Sequence, residues 1–164
     1  MKLIKLACGK LAKIDDIDYD IISKYKWSLV SGKYARAVVY DIGRGENGKL
    51  KQRIIKMHRL ITGAKQEDVV DHINGDGLDN RRSNIRICDR TQNQGNRYVQ
   101  KNSKSQIKGV EMRVRKSGVS WIAYIVKGCK KKSLGSYRDK NDAARAYNEA
   151  ALEYFGDFAK LNVV

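Results

Sequence analysis

VDHINGDGLDNRRSNIRICDRTQN, residues 70–93, puts an Asp-His pair, a turn-rich loop and two spaced asparagines into one short run. Val69 and Val70 are β-branched and lead directly into Asp71 and His72, and Asn74-Gly75-Asp76-Gly77 follows at once. Asp71 and His72 are therefore expected where a strand ends. Beyond the polar residues 79–83, Ile85 and Ile87 alternate with Asn84 and Arg86, the pattern of a second short strand. Asp89 has Gln92 three residues on, the spacing of a capping box, so a helix should start there with Asn93 in its first turn. Strand, loop, strand and helix then make one unit able to gather Asp71, His72 and Asn93 about a point.

The residue types suit one class of reaction. A carboxylate and an amide oxygen are hard ligands of the kind magnesium takes alongside water and substrate phosphate. One Mg2+ (or Mn2+) ion is expected, held by Asp71 and Asn93. His72 has an unperturbed pKa close to neutrality and can take a proton from water there. A cation would polarise a phosphoryl oxygen and stabilise a leaving 3′ oxygen, which implies 5′-phosphate and 3′-hydroxyl ends. A lone Asp-His pair is more often a surface or capping arrangement, and it is the asparagines at long fixed gaps that make the pattern specific.

The segment resembles the HNH endonuclease family, in particular the phage and intron-encoded branch whose motif runs D-H, then N, then N. That resemblance implies a ββα-metal (His-Me finger) unit. It puts the general base on His72, the metal ligands on Asp71 and Asn93, and the Asn that braces the catalytic loop on Asn84. Many members carry His at the last position, and Asn there argues against zinc. His58, in Met57-His58-Arg59-Leu60-Ile61, is the only other histidine. It reads either as a helix-start residue packed beneath the site or as a group supporting His72. Arg81 and Arg82, in the loop, are expected on the DNA.

Charge agrees with a polyanionic partner. The chain of 164 residues has a formal net charge of +16, with 19 basic and 12 acidic side chains in residues 1–93 and 15 and 6 in residues 94–164. Both halves should touch phosphate, with an affinity that falls steeply with salt through counterion release. Charge alone would also fit ribosomal or membrane-surface binding. Cys8, Cys88 and Cys129 form no C-x-x-C pair, so neither a disulfide framework nor a zinc site is expected. The opening MKLIKLAC is too short and too interrupted by Lys5 for a lipoprotein signal, and no transmembrane span is expected.

Before the motif, residues 3–14 read as a hairpin about Gly9-Lys10 and residues 16–25 as a short helix with Ile17, Ile21 and Ile22 on one side. Residues 33–41 and 50–57 read as two strands joined by a loop at 43–48. Trp27 is expected in the core. Lys33, Arg36, Arg44, Lys49, Lys51 and Arg53 either track phosphate or line a solvated strand face. Residues 95–106, rich in Asn, Gln, Ser and Lys, look like a linker.

From residue 108 the alternation of Val110, Met112 and Val114 with Glu111, Arg113 and Arg115 marks a strand with one buried face. Trp121, Ala123 and Ile125 continue that face on a second strand, and Leu134 and Tyr137 serve a third. A helix should begin at Asp139, with Ala143, Ala144, Tyr147, Ala150, Ala151, Tyr154 and Phe155 as its apolar stripe and Gly156 as its stop. This end resembles the Apetala-two (ethylene-response-factor) DNA-binding domain through Gly109-Val110, Trp121-Ile122-Ala123, Leu134-Gly135-Ser136-Tyr137, Ala143-Ala144-Arg145-Ala146-Tyr147-Asn148 and Ala159-Lys160-Leu161-Asn162. The resemblance lays a three-stranded sheet in the major groove and puts Lys108, Glu111, Arg113, Arg115, Tyr124, Lys131 and Ser133 on the reading face. Glu111, Tyr124 and Ser133 depart from the plant pattern, so the plant target does not carry over.

The expected fold class is α+β: an N-terminal β-rich region (1–57), the nuclease unit (58–98), a linker (99–107), and a three-stranded antiparallel sheet packed on one helix (108–164). The expected function is a site-directed DNA endonuclease of homing type, with a non-catalytic DNA-binding regulator as the alternative. Double-stranded DNA is the expected partner, with no membrane and no small-molecule cofactor. The chain should act as a monomer in the cytoplasm of a bacterial or phage-infected cell.

Overall fold

Runs in which apolar and polar residues alternate give this α+β chain a series of short strands, paired in small antiparallel sheets with few helices among them. A computed structural model describes residues 1–44, 50–99, 102–116, 118–128 and 130–164. Most of the loop expected at 43–48, with Lys49, lies outside the described residues, as do Gln100 and Lys101 of the expected linker and Cys129. The chain divides into two units, Met1–Cys88 and Asp89–Val164.

In the first unit β1 (Lys2–Lys5) and β2 (Leu11–Ile14) form the expected hairpin. The helix expected at 16–25 is shorter: a 3-10 turn at Asp16–Asp18 and one turn of α1 (Tyr19–Ile22). Only Ile22 of its three isoleucines is buried, and Ile17 is 79% exposed. The acids that would cap a longer helix are drawn elsewhere. Asp15 Oδ2 accepts from the Arg82 backbone N–H at 2.8 Å, and the Asp18 carboxylate takes the Arg82 guanidinium from Nε and Nη2 at 3.0 and 2.7 Å.

Strands β3 (Ser28–Val30), β4 (Tyr34–Arg44) and β5 (Leu50–Lys56) make a sheet in that order. The two-residue period sends Ala35 and Ala37 inward, onto a core of Leu6, Ile14, Ile22, Trp27, Met57, Ile61 and Ile85. Trp27 is buried as expected, its indole N–H donating to the Ile22 carbonyl at 2.8 Å. Helix α2 (Met57–Thr62) ends at Gly63 in the left-handed region. The last pair is β6 (Val69–His72) with β7 (Ile85–Cys88).

The loop between β6 and β7 is stitched to the N-terminal hairpin. Lys13 N–H donates to the Leu78 carbonyl and Asn80 N–H to the Lys13 carbonyl, both at 2.8 Å, so Asp79 lies beside Lys13 as a parallel bridge. Gly77 allows the loop a second close approach, to the turn between β3 and β4: a Cβ there would lie 2.5 Å from the Lys33 carbonyl oxygen and 2.7 Å from the Tyr34 ring.

The second unit holds α3 (Arg90–Gly95), the antiparallel sheet β8 (Val110–Arg115), β9 (Gly118–Lys127) and β10 (Lys130–Tyr137), and α4 (Lys140–Phe155). The capping box read from Asp89 and Gln92 is present, and Asp139 caps α4 through the N–H groups of Asn141 and Asp142. Alanines 143, 144, 150 and 151 are buried with Tyr147 and Phe155 against β9 and β10, where small side chains let helix and sheet come close. At Gly109 (φ +69°) a Cβ would meet the Tyr147 ring at 1.9 Å, so only glycine fits the entry to β8. The expected alternation fades toward the end of β8, where Val114 is exposed.

Arg82 neutralises a carboxylate that is only 3% exposed. Arg82→Ala should lower stability by roughly 1–3 kcal/mol, the cost of a buried group left unsatisfied. The midpoint of urea unfolding measures it, and an unchanged midpoint would show that Asp18 finds another partner.

Candidate active site

Asp71 and His72 are the last two residues of β6, and because successive strand residues face opposite ways they serve different surroundings. Both are buried, at 7% and 4% exposure. Across the ladder Asp71 faces Arg86, whose Nε and Nη2 donate to its Oδ2 at 3.2 and 3.1 Å. His72 faces a cluster of rings. Its centroid lies 5.2 Å from that of His58, at an interplanar angle of 89°, and 5.7 Å from that of Tyr34. Tyr34 in turn meets His58 edge-on at 5.4 Å. Burial lowers the pKa of His72, and the Asn80 hydrogen bond opposes that shift. Burial also pushes His58 down to about 3, with the neighbouring His72 adding to the effect. Burial thus favours the neutral form of both imidazoles. His58 Nδ1 is buried without a hydrogen-bond partner.

The loop after His72 is held by its own side chains. Asn84, at the head of β7, accepts the Asn74 N–H on Oδ1 at 3.0 Å and donates from Nδ2 to Asn74 Oδ1 at 3.0 Å and to the Asp79 carbonyl at 2.7 Å. Asn74 Nδ2 donates to Asp79 Oδ2 at 3.0 Å, and Arg81 grips the same carboxylate from Nε and Nη2, each at 2.7 Å. Those Arg81 hydrogen bonds hold the Asp79 carboxyl below the usual carboxylate range. Two Asx turns, Asp76 N–H to Asn74 Oδ1 and Leu78 N–H to Asp76 Oδ1, complete the loop. Asn80, fully buried, sets its Oδ1 3.2 Å from His72 Nε2.

Asp71, His72, Asn84 and His58 therefore lie in the first unit around the end of β6, and Asn93 lies on α3 in the second. Arg81 and Arg82, expected on DNA, both hold buried carboxylates within the first unit. On the β8–β10 sheet, Glu111, Arg113, Arg115, Tyr124, Lys131 and Ser133 share one face by register. Lys131 Nζ lies 3.8 Å from the Tyr124 ring centroid and 3.0 Å from Glu111 Oε2. Lys108 is turned inward: its ammonium donates to the Gly95 carbonyl near the Tyr147 ring, and burial pushes its pKa down to about 8. The sequence reading missed Asn80, Asp79, Tyr34 and Arg86. For Arg86 the β6–β7 register was the available signal, whereas Tyr34 reaches the site only through the fold.

In donor chemistry the Asp71 carboxylate and an Asn amide oxygen suit a hard divalent cation. Among the described residues no group of three or more His, Cys, Asp or Glu side chains could hold a metal, so a cation here would depend on amide and water oxygens beside the carboxylate. That donor set is the one the motif offers.

Because the folded His58 stays neutral down to about 3 while an unfolded imidazole protonates near 6.5, the unfolded state binds the extra proton between those values. Stability should then fall as pH drops through that window, by at most about 1.4 kcal/mol per pH unit for this group. His58→Phe keeps a ring and removes the titration. Urea midpoints at about pH 7.5 and about pH 5 should differ less in the variant than in the wild type.

No family model matches the chain. An uncharacterised HNH endonuclease of Acanthamoeba polyphaga mimivirus, L560, is 32% identical over 163 residues, spanning 95% of this chain and 76% of the viral protein. The likeness supports a nuclease function. With that identity carried along nearly its whole length, the chain belongs to the HNH endonucleases.

Proposed function

We propose that the chain is a metal-dependent, site-directed DNA endonuclease of homing type that hydrolyses phosphodiester bonds to 5′-phosphate and 3′-hydroxyl ends. The observation that carries the reading is the buried, neutral His72 beside the Asp71 carboxylate at the end of β6, on a loop braced by Asn84. β6, β7 and α3 follow one another in the order of a ββα-metal unit.

In this reading the neutral imidazole of His72 takes a proton from the attacking water, the step its lowered pKa prepares it for. Asp71 and Asn93 would hold one divalent ion, Mg2+ or Mn2+, which when bound supplies charge for the phosphoryl oxygens and the leaving 3′ oxygen. Arg86, on Asp71 Oδ2, restrains the carboxylate from the neighbouring strand. Asn84 braces the loop that follows His72, and the rings of His58 and Tyr34 pack against its imidazole. A carboxylate held at one oxygen by an adjacent guanidinium loses less freedom on meeting a cation, and this preorganisation is the arrangement's contribution to catalysis.

The β8–β10 sheet is the proposed Apetala-two-like reading surface on double-stranded DNA, with Arg113, Arg115, Tyr124 and Lys131 toward the duplex. Its exposed arginines and the stacked Lys131–Tyr124 pair give it fixed basic and aromatic groups on one face. Arginine there is able to contact guanine edges and lysine phosphate.

Wild-type protein with supercoiled plasmid and Mg2+ should nick or linearise it, and chelation should stop the reaction. His72→Ala should cut at least about 100-fold more slowly, the usual contribution of a general base. If the wild type and His72→Ala bind DNA and neither cuts, the chain is a non-catalytic DNA-binding regulator instead. Replacing both Arg113 and Arg115 with Ala should weaken DNA binding and reduce the slope of log affinity against log salt by about 2, one counterion for each arginine. A slope unchanged in binding titrations across a salt series would take the sheet out of the interface.

A further inference from the structure

Arg81, Arg82 and Arg86 hold Asp79, Asp18 and Asp71, and Arg59 donates to the carbonyls of Ala64, Lys65 and Asp68. Arg36 and Lys56 are placed differently. Among the described residues neither side chain pairs with an acid, and Arg36 Nε is buried with no hydrogen-bond partner.

Register sets these two against each other. Arg36 on β4 lies directly across from Lys56 on β5, a position that brings Cβ atoms to about 5 Å. Like charges there repel, and a buried guanidinium N–H without an acceptor adds to the cost. Folding alone would favour an acid or a neutral residue at one of the two positions.

The face they share leads to the active site. Residues two apart on a strand point the same way, so Arg36 stands on the side of β4 that carries Tyr34, roughly 7 Å from it along the strand. The Tyr34 ring packs against both His58 and His72. Lys56 immediately precedes α2, with His58 two positions on. Lys33, next to Tyr34, holds its ammonium 5.2 Å from that ring's centroid. The Lys33 charge is felt at His72 and the Lys56 charge at His58, each opposing protonation of the ring.

We propose that Arg36, Lys56 and Lys33 form a phosphate-binding row that holds the backbone of the DNA at the His72 site. The inference rests on the reading of that site as the place of cleavage. A strand of DNA brings a negative charge with every nucleotide, so cations beside the reactive end meet the phosphates next to the one being cut. Such contacts fix position and register without reading sequence. Bound phosphate also relieves the repulsion between Arg36 and Lys56 that the empty face carries.

The test uses the full chain, metal-free, in binding titrations against a labelled mixed-sequence duplex across a salt series. Replacing Arg36 and Lys56 together with Gln should reduce the slope of log affinity against log salt by about 2. The urea midpoint should stay or rise, because the repelling pair is gone. Replacing Lys5 and Lys10, exposed residues of the N-terminal hairpin, with Gln makes the same change of charge and should move the slope less. In plasmid cleavage with Mg2+ the Arg36/Lys56 variant should show a raised KM and an unchanged kcat, the mark of lost uniform binding. An unchanged slope overturns the proposal, as does an equal fall in the Lys5/Lys10 protein. A lowered urea midpoint overturns it too, by making the pair structural. If the wild type does not cut but the slopes behave as expected, the nuclease reading fails and the phosphate row stands.

Discussion

The loop between β6 and β7 depends on a closed set of hydrogen bonds among Asn74, Asp79, Arg81 and Asn84. Without it the ten or so polar groups that follow His72 would have to be solvated, and the histidine would be open to water with them. With it, the polar loop is folded against the hairpin and His72 can stand at the buried end of its strand. Such networks gain from the low dielectric only when every member is satisfied, because each unpaired group there costs about 1–3 kcal/mol. Here the members satisfy one another closely. The exceptions at the site are Nδ1 of His58, whose ring stands edge to face with that of His72, and the amide nitrogen of Asn80, whose oxygen lies 3.2 Å from His72 Nε2.

The same enclosure sets the electrostatics. A buried imidazole resists protonation, and at His58 the neighbouring His72 adds to the effect, so both pKa values lie below the ordinary range. The structure thus combines two requirements that compete in water: a nitrogen basic enough to take a proton and a state in which it does not already hold one. The Asn80 hydrogen bond works in the opposite sense and keeps the depression of His72 in check. His58, its Nδ1 buried without a hydrogen-bond partner, is pushed down to about 3.

Much of this was legible in the residues. The strand ending in Asp71-His72, the second strand at Ile85, the Asp89–Gln92 capping box and the alanine face of the last helix all follow from local rules with a short period, and all are found. The failures share a cause. The helix expected at 16–25 opens as a 3-10 turn and stops at Ile22, and Asp15 and Asp18 at its start are bound to Arg82, 67 and 64 residues away, a pairing that no local pattern records. Asn80 looked like one more polar residue in a turn, since its meaning depends on Lys13 crossing beneath it. Strand β3 was overlooked because three residues are too few for an alternation to show.

A count of basic residues also misjudges where they act. Arg81, Arg82 and Arg86 lie within the stretch that carries the motif, and each is committed to a buried carboxylate: Asp79, Asp18 and Asp71 in turn. A guanidinium matches a carboxylate in two bonds and stays charged whatever its surroundings, so arginine is the side chain suited to neutralising an acid that the fold has buried. Where no buried acid is within reach, as at Arg113 and Arg115 on β8, the same residue type remains on the surface. The acids therefore decide which arginines are structural. The formal net charge of +16 already counts those aspartates, so the pairing decides where the positive charge is displayed and not how much of it there is.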